Sequence, residues 1–172
     1  DSGCGSWLLE PQSTNLVTYS EDFSSGTGWG ATGATLTSNQ SISPDGSLNA
    51  TLIELNSNLD RLAAVISVAG GTYTFSFYIK AKEGESGIWR SRVSTDYTIY
   101  ENTQVNDTEW TRITQTFTKT GAGNVVMYPA FRTDGTSTLF NAYIWGAMLE
   151  QQSYSTSYIP TNGAASTRLQ DI

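Results

Sequence analysis

Short runs of this chain alternate apolar and polar residues at period two, and clusters of Gly, Asn, Asp and Ser separate them. That pattern predicts antiparallel strands. The clearest run covers residues 73–80. Phe75, Phe77 and Ile79 share one face, read as core, and Ser76, Tyr78 and Lys80 share the other. Gly70-Gly71 opens this run with a turn, and the polar stretch 83–87 closes it with a loop. Along 88–94, Trp89, Ser91 and Val93 alternate with Arg90 and Arg92. The arginines are assigned outward, because a buried unpaired guanidinium is costly.

Residues 110–118 turn Ile113 and Phe117 inward and Arg112, Thr114, Thr116 and Thr118 outward. Residues 124–132 place Val125, Met127 and Phe131 on one side, with Val126, Tyr128, Ala130 and Arg132 on the other. Residues 142–150 group Tyr143, Trp145, Ala147 and Leu149. Runs at 34–42, 48–55 and 62–68 read as three further strands, with 15–18 as a short one near the start. The segment 95–102 alternates little and reads as a loop or a strand. Helix signals are nearly absent: the best candidate, 52–68, carries Asn56, Ser57 and Asn58 in its middle. The fold class is therefore all-β, a two-sheet antiparallel β-sandwich of the jelly-roll kind.

A length of 172 residues fits one domain with a real core. The segments 1–7 and 160–172 read as linker-like ends, with the polar tail from 153 onward crossing the surface. Charged residues are 15% of the chain, replaced by Ser, Thr, Asn and Gly as in extracellular β proteins. A net charge of −7 argues against nucleic acid and anionic membranes as partners. There is no histidine, which removes the commonest general base and metal ligand. Cys4 is the single cysteine, so no internal disulfide forms and no role is assigned to it. No apolar run approaches the ~18 residues of a membrane span. The first residues show no basic start and no apolar stretch, so no signal peptide is expected, and the chain starts and stops mid-phrase, which reads as a module of a longer secreted protein.

Residues 8–15 read LLEPQSTN and residues 158–168 read YIPTNGAASTR, and these phrases bracket almost the whole chain. Between them stand NLVTYSEDF at 15–23 followed by Trp29, YTFSFYIKAK at 73–82, Trp110-Thr111-Arg112 with Phe117-Thr118, and YIWGAMLE at 143–150. In this order the phrases resemble the galactose-binding-like, jelly-roll carbohydrate-binding modules. Such modules stand beside polysaccharide-degrading enzymes of marine bacteria and in phage tail proteins. The resemblance implies a binding surface on the outward face of one sheet or on its rim loops. Many relatives hold a structural calcium between a carboxylate just after the early Phe and an Asp in the closing strand. Here Ser24 follows Phe23, and Trp145-Gly146 stand where acidic residues would be. Glu21 and Asp22 remain as weak candidates, so a structural calcium is allowed and no cofactor is required.

A glycan site needs flat apolar faces and polar forks. If the strands above are neighbours, one outward face gathers Tyr78, Lys80, Arg90, Arg92, Arg112, Tyr128 and Arg132, with Tyr97 and Tyr100 at the rim. Five of the nine Lys and Arg residues then share one face of an acidic protein. One reading is a basic groove for an anionic (sulfated or uronic) marine polysaccharide, gripped by arginine forks. The other is that outward cations only block edge pairing and aid solubility. Trp29, Trp110 and Trp145 are read as core packers.

The expectation is a monomeric, non-catalytic module that tethers a larger protein to polysaccharide. Two alternatives stand beside it. One is a structural or adhesion module of a phage tail or fibre. The other is a small lyase or hydrolase, for which Tyr78, Tyr128 and Arg112 are the conceivable constellation.

Overall fold

The computed structural model describes residues 9–132 and 135–172. Cys4 and the predicted end 1–7 lie outside the described residues. The described chain is all strand and turn, with twelve strands. They are β1 (Ser13–Asn15), β2 (Trp29–Thr32), β3 (Thr35–Ile42), β4 (Leu48–Glu54), β5 (Arg61–Val68) and β6 (Gly71–Ala81). Then come β7 (Gly87–Ser94), β8 (Thr98–Val105), β9 (Thr111–Lys119), β10 (Gly123–Phe131), β11 (Asn141–Glu150) and β12 (Ser166–Arg168).

One five-stranded sheet has the order β2-β5-β10-β7-β8, and a second has β3-β4-β11-β6-β9. Their pairings are antiparallel. The core lies between the sheets, and its large fully buried side chains include Trp89, Tyr73, Phe23, Phe75, Phe77, Leu62 and Met127. Trp89 is inside, with its indole N–H donated to the Pro129 carbonyl at 2.7 Å, and Arg90 and Arg92 are outside. The jelly-roll sandwich predicted from the period-two pattern is the fold observed.

Two bulges change which side chains face out. In β10 the register against β5 runs Met127 opposite Ala64, then Ala130 opposite Leu62. Three residues thus oppose two at Pro129, which has no N–H to give the ladder. The extra residue sends Ala130 into the core and Phe131 outward, the reverse of the uninterrupted alternation. In β11 the register slips the same way between Trp145 and Met148, around Gly146 at φ +66°. Ala142, Ile144, Ala147 and Leu149 face the core, while Tyr143 and Trp145 face out. The grouping of Tyr143 and Trp145 with Ala147 and Leu149 is thereby corrected.

The two bracketing phrases meet. β1 pairs with β12 in a separate two-stranded ribbon. Asn15, fully buried, stitches that ribbon to the second sheet and the tail. Its amide donates to the carbonyls of Ala147 (3.1 Å) and Ile159 (2.9 Å), and its Oδ1 accepts from the N–H groups of Val17 and Leu149. All four hydrogen-bonding positions of the side chain are used. The C-terminal segment does run across the surface, but it is docked there: Thr156, Ile159 and Thr161 are buried.

Candidate functional site

The predicted binding residues fall on opposite sides of the sandwich. β7, β8 and β10 belong to the first sheet, whereas β6 and β9 belong to the second. Arg90, Arg92, Tyr100 and Tyr128 come together on the outer face of the first sheet. Tyr78, Lys80 and Arg112 lie on the outer face of the second. A single face bearing all of them does not exist, because β6 pairs with β9 and β11 rather than with β7.

On the first sheet, three rings form a shelf. Tyr128 meets Phe131 edge-on at 5.1 Å, and Tyr100 meets Phe131 at 5.9 Å. The Arg92 guanidinium lies 4.6 Å from the Phe131 centroid and 4.8 Å from that of Tyr128. Arg90 lies 4.6 Å from the Tyr100 centroid. Both forks are also oriented by hydrogen bonds: Arg90 Nε donates to Asn102 Oδ1 at 2.8 Å, and Arg92 Nε to Ser94 Oγ at 2.9 Å. Aromatic support and a fixed polar partner hold a guanidinium ready for a bidentate acceptor. Tyr100 is 45% exposed and forms the open rim of this shelf.

Charge separates this face from the rest of the molecule. Among the described residues of these five strands the one carboxylate is Glu101. It alternates with Tyr100 and Asn102 and stands opposite the buried Ser91, so it points the other way. Arg61, absent from the sequence-based set, stands opposite Phe131 on the outward parity of β5. Three arginines and no carboxylate therefore occupy the outward positions, in a chain of net charge −7. Phe131 also escaped the sequence reading, although Pro129 inside a strand was the signal for its reversal.

The remaining predicted residues are engaged elsewhere. Arg132 follows β10, where its guanidinium packs 3.9 Å from the Phe140 centroid and donates to the Leu55 carbonyl, away from the shelf. Tyr97 lies in the turn between β7 and β8, and its hydroxyl accepts the Thr118 N–H of β9. Arg112 holds the tail: Nη1 donates to the Thr156 carbonyl at 2.7 Å and Nη2 to Ser76 Oγ at 3.0 Å. Tyr78 packs against Trp145, which the tail residue Tyr158 covers at 4.2 Å. Trp110, read as core, is half-exposed.

The carboxylates weighed for calcium have protein partners. Glu21 accepts from Tyr158 and Asn49, and Asp22 accepts the Ser24 N–H. Calcium takes six to eight oxygens. Among the described residues no group of three or more His, Cys, Asp or Glu side chains gathers.

No family profile and no curated protein matches the chain. Solved structures do. A xylan-binding domain, CBM22-1 of Paenibacillus barcinonensis Xyn10C, aligns over 83% of this chain and 94% of its own, at 13% identity and TM-score 0.58. The CBM22-1–GH10 modules of Clostridium thermocellum xylanase 10B, complexed with xylohexaose, align over 87% of this chain and 30% of theirs, at 16% identity and TM-score 0.59. The fold is that of a jelly-roll carbohydrate-binding module. A phage relative of the fold is the enzymatically active domain of bacteriophage CBA120 tailspike protein 4, covering 75% of this chain and 20% of its own at 14% identity and TM-score 0.51. At such identities the likeness is one of fold, and function rests on the site.

Proposed function

We propose that the chain is a non-catalytic polysaccharide-binding module of a larger secreted protein. On this reading its first-sheet face holds the anionic groups of a sulfated or uronic glycan. The observation that carries the proposal is the shelf on which Arg90 and Arg92 lie over Tyr100, Tyr128 and Phe131, with no carboxylate at the outward strand positions among the described residues. The rings sit under the guanidinium groups, so they act first as supports and only at Tyr100 as an open stacking surface. A guanidinium can give a sulfate or carboxylate two parallel hydrogen bonds. The similar xylan-binding domain and the xylohexaose-bound modules support glycan binding in general. The arginines alone support the anionic preference.

Catalysis gains no support from the geometry. The constellation of Tyr78, Tyr128 and Arg112 is divided between the two outer faces, and Arg112 is committed to the tail. Asp60 and Asp45, two well-held carboxylates, serve turns: Asp60 accepts the N–H groups of Asn56 and Ser57, and Asp45 that of Ser47.

Affinity electrophoresis across alginate, carrageenan, fucoidan, agarose, laminarin and xylan tests the proposal. Retardation in the anionic gels, relieved by salt and lost in Arg90→Ala with Arg92→Lys, is the expected result. Arg92→Lys keeps the charge and removes the fork. Retardation confined to neutral gels would overturn the anionic assignment. No retardation in any gel would favour a structural role.

A further inference from the structure

The C-terminal tail carries the chain's single Asn-Gly pair, Asn162-Gly163, and both residues are exposed. Glycine puts no Cβ beside its own backbone nitrogen, so that nitrogen can approach the preceding side chain. The tail is fastened on both sides of this pair. On one side the Thr161 carbonyl accepts the Ser20 N–H at 3.3 Å, and the Thr161 N–H donates to Ser20 Oγ at 2.9 Å. On the other the Gly163 N–H donates to the Thr18 carbonyl at 2.8 Å. Asn162 itself bridges to Tyr19 and lines a cleft of about 540 Å³ with Glu21 and Asp22. Ser20 Oγ also lies 2.6 Å from the Tyr158 hydroxyl, so Tyr158 and Thr161 share one anchor.

We propose that Asn162 is a deamidation site gated by opening of the tail, and that its conversion to isoaspartate makes the opening permanent. The Gly163 nitrogen attacks Cγ of Asn162. A C–N bond forms there, the bond from Cγ to the side-chain nitrogen breaks, and ammonia leaves. The Gly163 amide proton passes to solvent base, and the departing nitrogen takes a proton from water. Solvent water then opens the cyclic imide to aspartate or isoaspartate, so the net change is one water consumed and one ammonia released. While Thr18 holds the Gly163 N–H, its nitrogen is not free to attack. The step therefore waits for local opening of the tail, which costs less than global unfolding. Isoaspartate carries one extra main-chain carbon. The tail is tied at Thr161 and again at Gly163, so the added atom breaks the register of one tie or the other. Either product also sets a new carboxylate beside Glu21 and Asp22, and like charges oppose redocking.

The test is storage of the full chain in mildly alkaline buffer, followed by peptide mapping with mass spectrometry and enzymatic methylation of isoaspartate. Tm is read on the same samples. Isoaspartate is expected at position 162. Conversion should run roughly tenfold faster in Tyr158→Phe, which loosens the shared anchor at Ser20 and leaves the ring in place. It should be faster still in the urea-unfolded chain. The converted protein should melt below the fresh one, whereas stored Asn162→Gln should keep its Tm. No isoaspartate at 162 would overturn the proposal. So would equal rates in folded and unfolded chains, equal rates in Tyr158→Phe and wild type, an unchanged Tm after conversion, or the same loss of Tm in stored Asn162→Gln.

Discussion

Tyr158→Phe should measure how firmly the C-terminal tail is fastened to the sandwich. The substitution keeps the ring that covers Trp145 at 4.2 Å and removes only the hydroxyl. That hydroxyl donates to Glu21 Oε1 at 2.7 Å and lies 2.6 Å from Ser20 Oγ. A hydrogen bond to a charged group contributes about 1.5–3 kcal/mol. Its partners are not orphaned here: Ser20 keeps Thr161, and Glu21 keeps Asn49. The loss should therefore sit at the low end, about 1.5 kcal/mol, or roughly 3–6 °C in Tm for a chain of this size.

The pH dependence has a definite sign. Burial, chiefly, with the charges of Glu21 and Asp45, pushes the Tyr158 phenol well above the usual tyrosine range, against the lowering effect of Ser20. A raised folded pKa means the contribution is whole below the unfolded value of about 10 and is lost as pH rises beyond it. Urea unfolding followed by tryptophan fluorescence should show the same deficit at pH 7 and pH 9, shrinking above pH 10. Equal stability of variant and wild type at pH 7 would refute the reasoning, as would a deficit that grows with alkali.

Two further predictions concern turns that shape the faces. Gly146→Ala should cost about 1–2 kcal/mol, because a Cβ is disfavoured at φ +66° and would meet Tyr158 and Tyr78 at 3.3 Å; an unchanged urea midpoint would contradict the bulge. Asp60→Asn should cost about 1–3 kcal/mol at pH 7, since it sets an amide against N–H donors 2.6 and 2.7 Å away. Burial opposes ionisation of Asp60, but the Ser57 hydroxyl, two backbone N–H groups and Arg132 outweigh it and hold the carboxyl below its usual range. Its contribution is therefore present above about pH 4 and lost as pH falls further, so the deficit of the Asn variant should shrink in acid.

Much of the sandwich could be read from alternation, since Phe75, Phe77 and Ile79 leave one phase for β6, and Ile113 with Phe117 one phase for β9. That same phase already placed Trp110 beside Arg112 on the outward parity; treating large rings as core by default hid it. Alternation carries no signal for strand order. Residues of β6 and β7 adjacent in sequence therefore looked like neighbours on one face, although the chain crosses between sheets there. The bulges at Pro129 and Gly146 invert the phase within a strand, which is why Phe131 and Trp145 were misplaced. The short strands β2 and β12 were too brief to show a period.

The most direct test of the arginine shelf is the side-chain Nε–Hε resonances of the arginines during titration with a sulfated or uronic oligosaccharide. Shifts confined to Arg90 and Arg92, with Arg112 and Arg132 unmoved, are what the shelf predicts. Shifts at Arg112, or at none of them while the glycan still binds, would contradict it.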